Sequence, residues 1–423
     1  MARKFPKSMR AMASRDFRVF LAGGIVSSIG SNMQIAALAW VVQAQTGSAM
    51  RTTAIAFIGI IPLLLLGPTA GVLADRLPRR KLLVGTNILN GFQALALWGV
   101  WVGGAGDSYW LLFALSFFGG IFTAIQTPAW QSLPAELVER DHLLNAITLN
   151  STQFNIARAI GPLAAGVVIE QWGAGAAFGL NAASYTAVIV ALLMLGPAPT
   201  VHAPADGLTN FQRWRLGLQH ILEHPTLRLV IGIHMVFALV IPPVIYLIPK
   251  LSQDELRIGA SSYGVLLGVF GIGSIIAAVT LGNSEDRVRR SRALALGITM
   301  AAVSMAGLAS ARSYVAGLAA MVMLGAAYLI VVSVDHGAIQ TFTDDQYRGR
   351  VTSVWLMTFG LCMPCGVLGQ GALTDAIGVR TVFTIDAAIM LIMLGLLGLR
   401  RVLHRLDTTT AIATTTPTVV ANL

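Results

Sequence analysis

"GVLADRLPRRK", Gly71–Lys81, sets one acid and four bases within eleven residues. It stands between two long apolar runs, in a chain of which only 11% is charged, where globular proteins carry about a quarter. A second stretch, "GNSEDRVRRSR" at Gly282–Arg292, repeats the Gly-x-x-x-Asp-Arg opening and adds another basic cluster. The two leading glycines lie 211 residues apart, half of a 423-residue chain.

The rest of the chain explains why charge is so confined. Hydrophobic residues make up 55%, and mean hydropathy is +0.72. That is more apolar surface than one soluble core can bury. Twelve runs, 17–43, 52–74, 81–102, 109–133, 143–169, 174–195, 227–249, 261–281, 293–311, 314–334, 351–373 and 381–403, are long enough to cross a membrane. About 20 residues at 1.5 Å each cover a hydrocarbon core of roughly 30 Å. Their glycines and prolines suit packed helices and not strands. The predicted fold is an all-α membrane protein of about twelve transmembrane helices.

Basic residues orient it. Of 29 Lys and Arg, 23 fall in the N-terminus, in the alternate connections that hold both clusters, and in the C-terminal flank. The opposite connections hold Arg51, Lys250, Arg257, Arg312 and Arg380, while Arg158 lies inside a run. This asymmetry predicts a multi-pass protein of the cell membrane with both termini cytoplasmic. It also assigns the net charge of +10 to the anionic lipid surface, which leaves nucleic acid unsupported as a partner. The first run is too long for a signal-peptide core and no cleavage site follows it. Cys362 and Cys365 sit inside an apolar run, without the strand–helix setting of a redox motif, and read as packing residues.

Both clusters follow the second run of a set of six. A further correspondence links Gln131 to Gln340, 209 residues on, each opening a short cytoplasmic connection. The predicted organisation is a six-helix bundle at 1–195, a connector at 196–226 with an amphipathic helix ("FQRWRLGLQHILEH") along the membrane surface, a second bundle at 227–403, and a disordered cytoplasmic tail at 404–423. Parallel repeats of this kind build secondary transporters whose substrate site lies between the halves near the midplane.

On these motifs the chain resembles the major facilitator superfamily over nearly its whole length. "GVLADRLPRRK" matches that family's Gly-x-x-x-Asp-Arg-x-Gly-Arg-Arg-Lys signature except at Pro78. "ARAIGPLAAG", 157–166, is similar to the Gly-Pro signature of antiporters, with Ala157 and Ala165 where glycines are usual. The run 133–166, with "RDFRVF" and "QYRGRV", resembles the branch of enterobactin-exporter-like transporters and transmembrane secretion effectors.

The resemblance implies conformational roles. Gly71 permits close helix approach. Asp75, with Arg76, meets the start of the eleventh span near Gly349–Val351. By pseudo-symmetry Asp286 and Arg287 face the start of the fifth span near Asp141–Leu144. Such contacts between a carboxylate and a helix N-terminus are worth about 0.3–1 kcal/mol, or more when partly buried. Arg79, Arg80 and Lys81 read as topology signals alone. Gly161, Pro162 and Gly166 allow close packing and a bend in the fifth span, either for rocking or as ordinary small-residue packing.

Candidate path residues are polar groups inside the runs. Arg158 at mid-bilayer costs about 2.5–3.5 kcal/mol and must face protein or water. It either receives an anionic or polar substrate, trades partners with a proton carrier, or sits in a permanent ion pair. Asp335, pseudo-equivalent to Gln126, and His336 close the tenth span, and His234 lies two turns into the seventh. The resemblance implies that spans one, four, seven and ten line the cavity. Asp335 and a histidine can carry a proton; alternatively they cap a helix at the water interface. "SSIGSNMQ" in the first span has Ser31 and Asn32 where related exporters often carry an acid, so coupling needs another carboxylate. Glu170 and Asp386 are outer-side candidates. Asn32, Gln34, Gln126 and Asn155 can bond a cargo, or bond helix to helix.

No nucleotide-binding loop is present. The reading is a secondary active transporter, proton-coupled, exporting small amphipathic molecules (a drug, siderophore or secondary metabolite) by alternating access. The alternative is an uncoupled facilitator or lipid flippase of the same fold. A membrane-embedded enzyme is more remote, since His220 and His224 lack a His-Glu-x-x-His arrangement. No cofactor or metal is expected; the partners are a small-molecule substrate, protons and membrane lipid, and the chain is expected to be a monomer. The topology makes a direct prediction. Single cysteines placed beside Arg80 or Arg290 stay unlabelled by an impermeant maleimide added outside intact cells; labelling there contradicts it.

Overall fold

The computed structural model describes residues 7–196, 210–282, 289–399 and 402–407. The tail 408–423, Asp286 and Arg287 lie outside the described residues. Twelve long helices run through it: α1 Arg15–Thr46, α2 Ala49–Arg76, α3 Arg79–Val102, α4 Tyr109–Ser132, α5 Leu143–Trp172 and α6 Ala174–Leu193 in the first half. The second half holds α7 Pro225–Val240, α8 Ala260–Gly282, α9 Arg290–Ser310, α10 Tyr314–Phe342, α11 Arg348–Ile377 and α12 Val379–Leu399. Among the described residues, ten helices are long and apolar enough to cross a membrane. α3 and α5 have the length, but amides such as Asn87, Asn90, Gln93, Asn150 and Gln153 lower their hydropathy.

Local chemistry fixes the ends. The Ser14 hydroxyl accepts from the Phe17 amide and starts α1; the Ser48 hydroxyl accepts from Arg51 and starts α2. Between them Gly47 takes φ +62°, a left-handed position that suits glycine, and its N–H returns to the Gln43 carbonyl. The expected run 227–249 is not one helix. Pro242 and Pro243 supply no amide hydrogens, so α7 stops at Val240 and the chain continues as a 3-10 turn over Pro242–Tyr246. Gln370 of α11 donates to the Val240 carbonyl at 2.8 Å and to that of Leu239 at 3.3 Å, satisfying the groups that the break exposes.

The halves repeat one packing scheme. α2 packs on α4, α3 on α4 and α6, and α1 on α5; their counterparts are α8 on α10, α9 on α10 and α12, and α7 on α11. One pair departs from it. α1 packs closely on α6, whereas a groove of about 420 Å³ separates α7 from α12. The connector helix Asn210–Glu223 does not merely lie along a surface: Gly217 abuts the Arg350 backbone, and the His220 ring stacks on Tyr347 at 4.4 Å.

Between halves, α5 crosses α8 and α2 crosses α11. Near the end where α1 finishes (the distal end; the proximal end is where α1 begins), backbone meets backbone. A Cβ on Gly166 would lie 2.6 Å from the Ala260 carbonyl and 3.0 Å from the Gly264 Cα. Two carboxylates then cap helices of the opposite half. Glu170 of α5 accepts from the Ser261 amide of α8 at 2.9 Å. Asp375 of α11 accepts from the Ala49 and Met50 amides of α2 at 2.7 and 3.1 Å, and from the Ser48 hydroxyl. The α5–α8 and α11–α2 caps are pseudo-symmetric. Around them Lys250 donates to the Gly47 carbonyl at 2.6 Å, Gln253 to that of Trp40 at 3.0 Å, and the Trp40 and Tyr263 rings stack at 5.1 Å.

Losing such a cap costs about 0.5–2 kcal/mol. In a background lacking Cys362 and Cys365, Thr53→Cys reports the distal seam, because Thr53 is fully buried there. Glu170→Ala with Asp375→Ala is expected to raise its maleimide labelling rate in detergent at least fivefold; an unchanged rate contradicts a capped closure.

Candidate functional site

The contacts of α5 leave one sector of the helix uncovered. Gly161 rests against Asn32 and Met33 of α1, while Ala159 and Gly166 rest against Gly271 and Gly264 of α8. At 100° per residue, the sector between these two contacts carries Ser151, Asn155 and Arg158. All three are exposed, as is Leu144 a few turns nearer the proximal end. This stripe faces the space enclosed by the halves. Arg158 lies close enough to Tyr246, on the turn after α7, for its charge to act on that hydroxyl. No ion pair or hydrogen bond engages Arg158 among the described residues.

Asp335 and His234 form a separate site. Both side chains have no exposure, and His234 Nδ1 lies 3.5 Å from Asp335 Oδ2. Beyond this contact, neither carboxylate oxygen of Asp335 and neither ring nitrogen of His234 has a hydrogen-bond partner among the described residues. Trp355 covers the histidine at 4.7 Å and Phe359 at 6.0 Å, both from α11. Asp335 is therefore not at a water interface, and it does not open to the cavity. His336 is half-buried: its ring stacks on Trp355 at 5.0 Å and meets the Gln340 side chain at 3.2 Å.

The amides divide. Gln34 donates to Gln93 at 3.3 Å and accepts from Asn181 at 2.8 Å, joining α1, α3 and α6. Gln126 accepts from Asn90 at 3.2 Å, joining α4 to α3. Asn32 and Asn155 donate to carbonyls one turn back on their own helices, Ser28 and Ser151, and keep their oxygens free. Ser31, at the position without an acid, meets the Tyr185 hydroxyl at 3.1 Å. Asp386 is buried beside Gln370 at 3.4 Å, next to the broken end of α7.

Two bases of the motif make tertiary contacts. Arg79 pairs with Glu136 at 2.7 Å. Arg80 donates to the Leu195 carbonyl at 2.5 Å and to that of Leu193, at the negative end of α6. Sequence reading missed both roles, since neither acceptor has a spacing signature. A Cβ on Gly71 would meet no described atom within 4 Å, and Arg76 is exposed. The Asp75 side chain lies outside the described residues.

Comparison with known proteins agrees with this architecture. A family model described as transmembrane secretion effector matches residues 7–422. The chain is 23% identical over 394 residues to macrolide efflux protein A of Streptococcus pyogenes, covering 89% of this chain and 93% of that one. It is 24% identical over 314 residues to the enterobactin exporter EntS of Salmonella typhi, covering 73% and 70%. Among solved structures, a bacterial homologue of the human lysosomal transporter Spinster, inward-facing and unoccupied, superposes with a TM-score of 0.72 at 13% identity, covering 94% of this chain and 99% of that one. The nucleoside transporter NupG gives 0.71 at 11% identity, covering 91% and 98%. The chain belongs to the transmembrane secretion effector family of the major facilitator superfamily: it is a multi-pass membrane transporter and not an enzyme.

Proposed function

We propose that this transporter exports small amphipathic molecules in exchange for protons by alternating access. In this reading all twelve helices span the membrane, both termini are cytoplasmic, and bundles 1–195 and 227–403 rock about the α5–α8 and α2–α11 crossings, joined by the connector 196–226. The capped distal seam and the exposed proximal stripe of α5 then correspond to a cavity open to the cytoplasm. Efflux relatives that include macrolide, multidrug and enterobactin exporters support the direction and the class of cargo.

The observation that carries proton coupling is the wholly buried Asp335–His234 pair. A dry site disfavours net charge by several kcal/mol. One shared proton makes the pair neutral, whichever residue holds it. Zero protons leave it at −1, and two leave it at +1. While occluded, the pair therefore keeps one proton; once a conformational change hydrates it, either charged state becomes accessible. Proton loading is thereby tied to the conformational cycle. The uncoupled facilitator rests on Ser31 and its bond to Tyr185 where an acid would otherwise stand.

One assay separates the two. In proteoliposomes, an imposed pH gradient is expected to drive dye accumulation by the wild type. Asp335→Asn should lose at least tenfold of that accumulation while retaining downhill counterflow. Wild-type transport indifferent to the gradient, with Asp335→Asn indistinguishable from it, contradicts coupling.

A further inference from the structure

Arg158 presents an unsatisfied charge near the middle of α5, fifteen residues from its start at Leu143 and fourteen from its end at Trp172. The carboxylates of the spanning helices whose side chains are described are all engaged elsewhere. Asp16 accepts from the Gly196 amide, Glu170 and Asp375 cap helices at the distal seam, Asp335 faces His234, and Asp386 faces Gln370. The groups that do share its sector are neutral: Asn155 one turn back, Asn32 across on α1, and the Tyr246 hydroxyl. A permanent ion pair is thus not what holds the guanidinium in place.

We infer that the cavity is built for an organic anion, with the acidic group of the cargo docking on Arg158 and its apolar body filling the space between the halves. This rests on the transport reading and narrows its substrate class. A guanidinium offers a planar fork that binds a carboxylate, sulfonate or ionised phenol through two parallel hydrogen bonds. Away from bulk water that attraction is stronger than in it. Tyr246 and Asn32 add hydrogen-bonding groups that discriminate little by charge. The arrangement has an electrical consequence. One anion leaving against one proton entering moves two charges in the same electrical sense, so the membrane potential drives both legs.

The test is binding to the purified full-length chain in detergent, without any gradient, by fluorescence polarisation. 5-Carboxyfluorescein supplies an anionic xanthene and rhodamine 6G a cationic one of similar size. Wild type is expected to bind the anion at least tenfold more tightly than the cation. Arg158→Gln should lose tenfold or more for the anion and less than twofold for the cation. Arg158→Lys, which keeps the charge but loses the fork, should fall between. Tighter binding of the cation by wild type, absence of anion binding, or equal losses for the two dyes in Arg158→Gln overturns the inference. Wild type decides the first two outcomes even if the variant fails to fold. Because no proton gradient is involved, such a failure leaves proton-driven export standing, and failure of the gradient assay leaves anion binding intact.

Discussion

Two glycines held in backbone contact set the geometry on which everything else depends. Where Gly166 of α5 meets Gly264 of α8, no side chain separates the two halves. Dispersion between close backbones is a main source of helix association in lipid, where no hydrophobic drive remains. The contact is narrow, and α8 extends it with Gly268 against Leu163 and Gly271 against Ala159. A crossing lined by small residues lets one helix roll on the other with little steric change. The carboxylate caps add what the glycines lack, a contact with two discrete states. Glu170 on α8 and Asp375 on α2 are either seated on a helix N-terminus or not. In the proposed cycle, closure at the distal end would act as a reversible electrostatic latch on this backbone crossing.

Charge within the membrane follows the same logic of engaged and unengaged groups. Asp335 and His234 face one another where neither side chain is exposed, and in the proposed exchange they would hold one proton between them until the protein moves. Arg158 is balanced by nothing described, yet it is exposed on the side of α5 between α1 and α8, where the inferred cargo would meet it. The two sites lie in different halves: Arg158 on α5, the acid–histidine pair between α7 and α10. In the proposed exchange, cargo and proton would therefore not compete for one residue, and their linkage would run through the relative position of the halves.

The membrane class, ten of the spans and the family were legible in the sequence, because each rests on local composition or on motif spacing along the chain. Ten helices meet length and hydropathy on their own, and Arg79–Val102 and Leu143–Trp172 emerge as helices despite their amides. What sequence left open depended on partners distant in the chain. The interhelical bonds of Gln34 and Gln126 have no signature in the sequence, because Gln93, Asn181 and Asn90 lie on other helices. Arg79 and Arg80 read as topology because Glu136 and the α6 carbonyls lie 57 and more residues away. The break in α7 was visible in Pro242-Pro243, but hydropathy carried the run straight through it. Glu170 was noted as an outer acid; its role as a cap required the start of α8.

Alternating access is the central claim, and a pair of distances tests it most directly. Spin labels at Met50 and Arg312 bracket the distal end, and labels at Leu144 and Asp345 the proximal end; all four positions are exposed. On acidification or addition of a transported dye, the account predicts that the distal distance lengthens as the proximal one shortens. Distances that stay fixed, or that grow and shrink together, would contradict it.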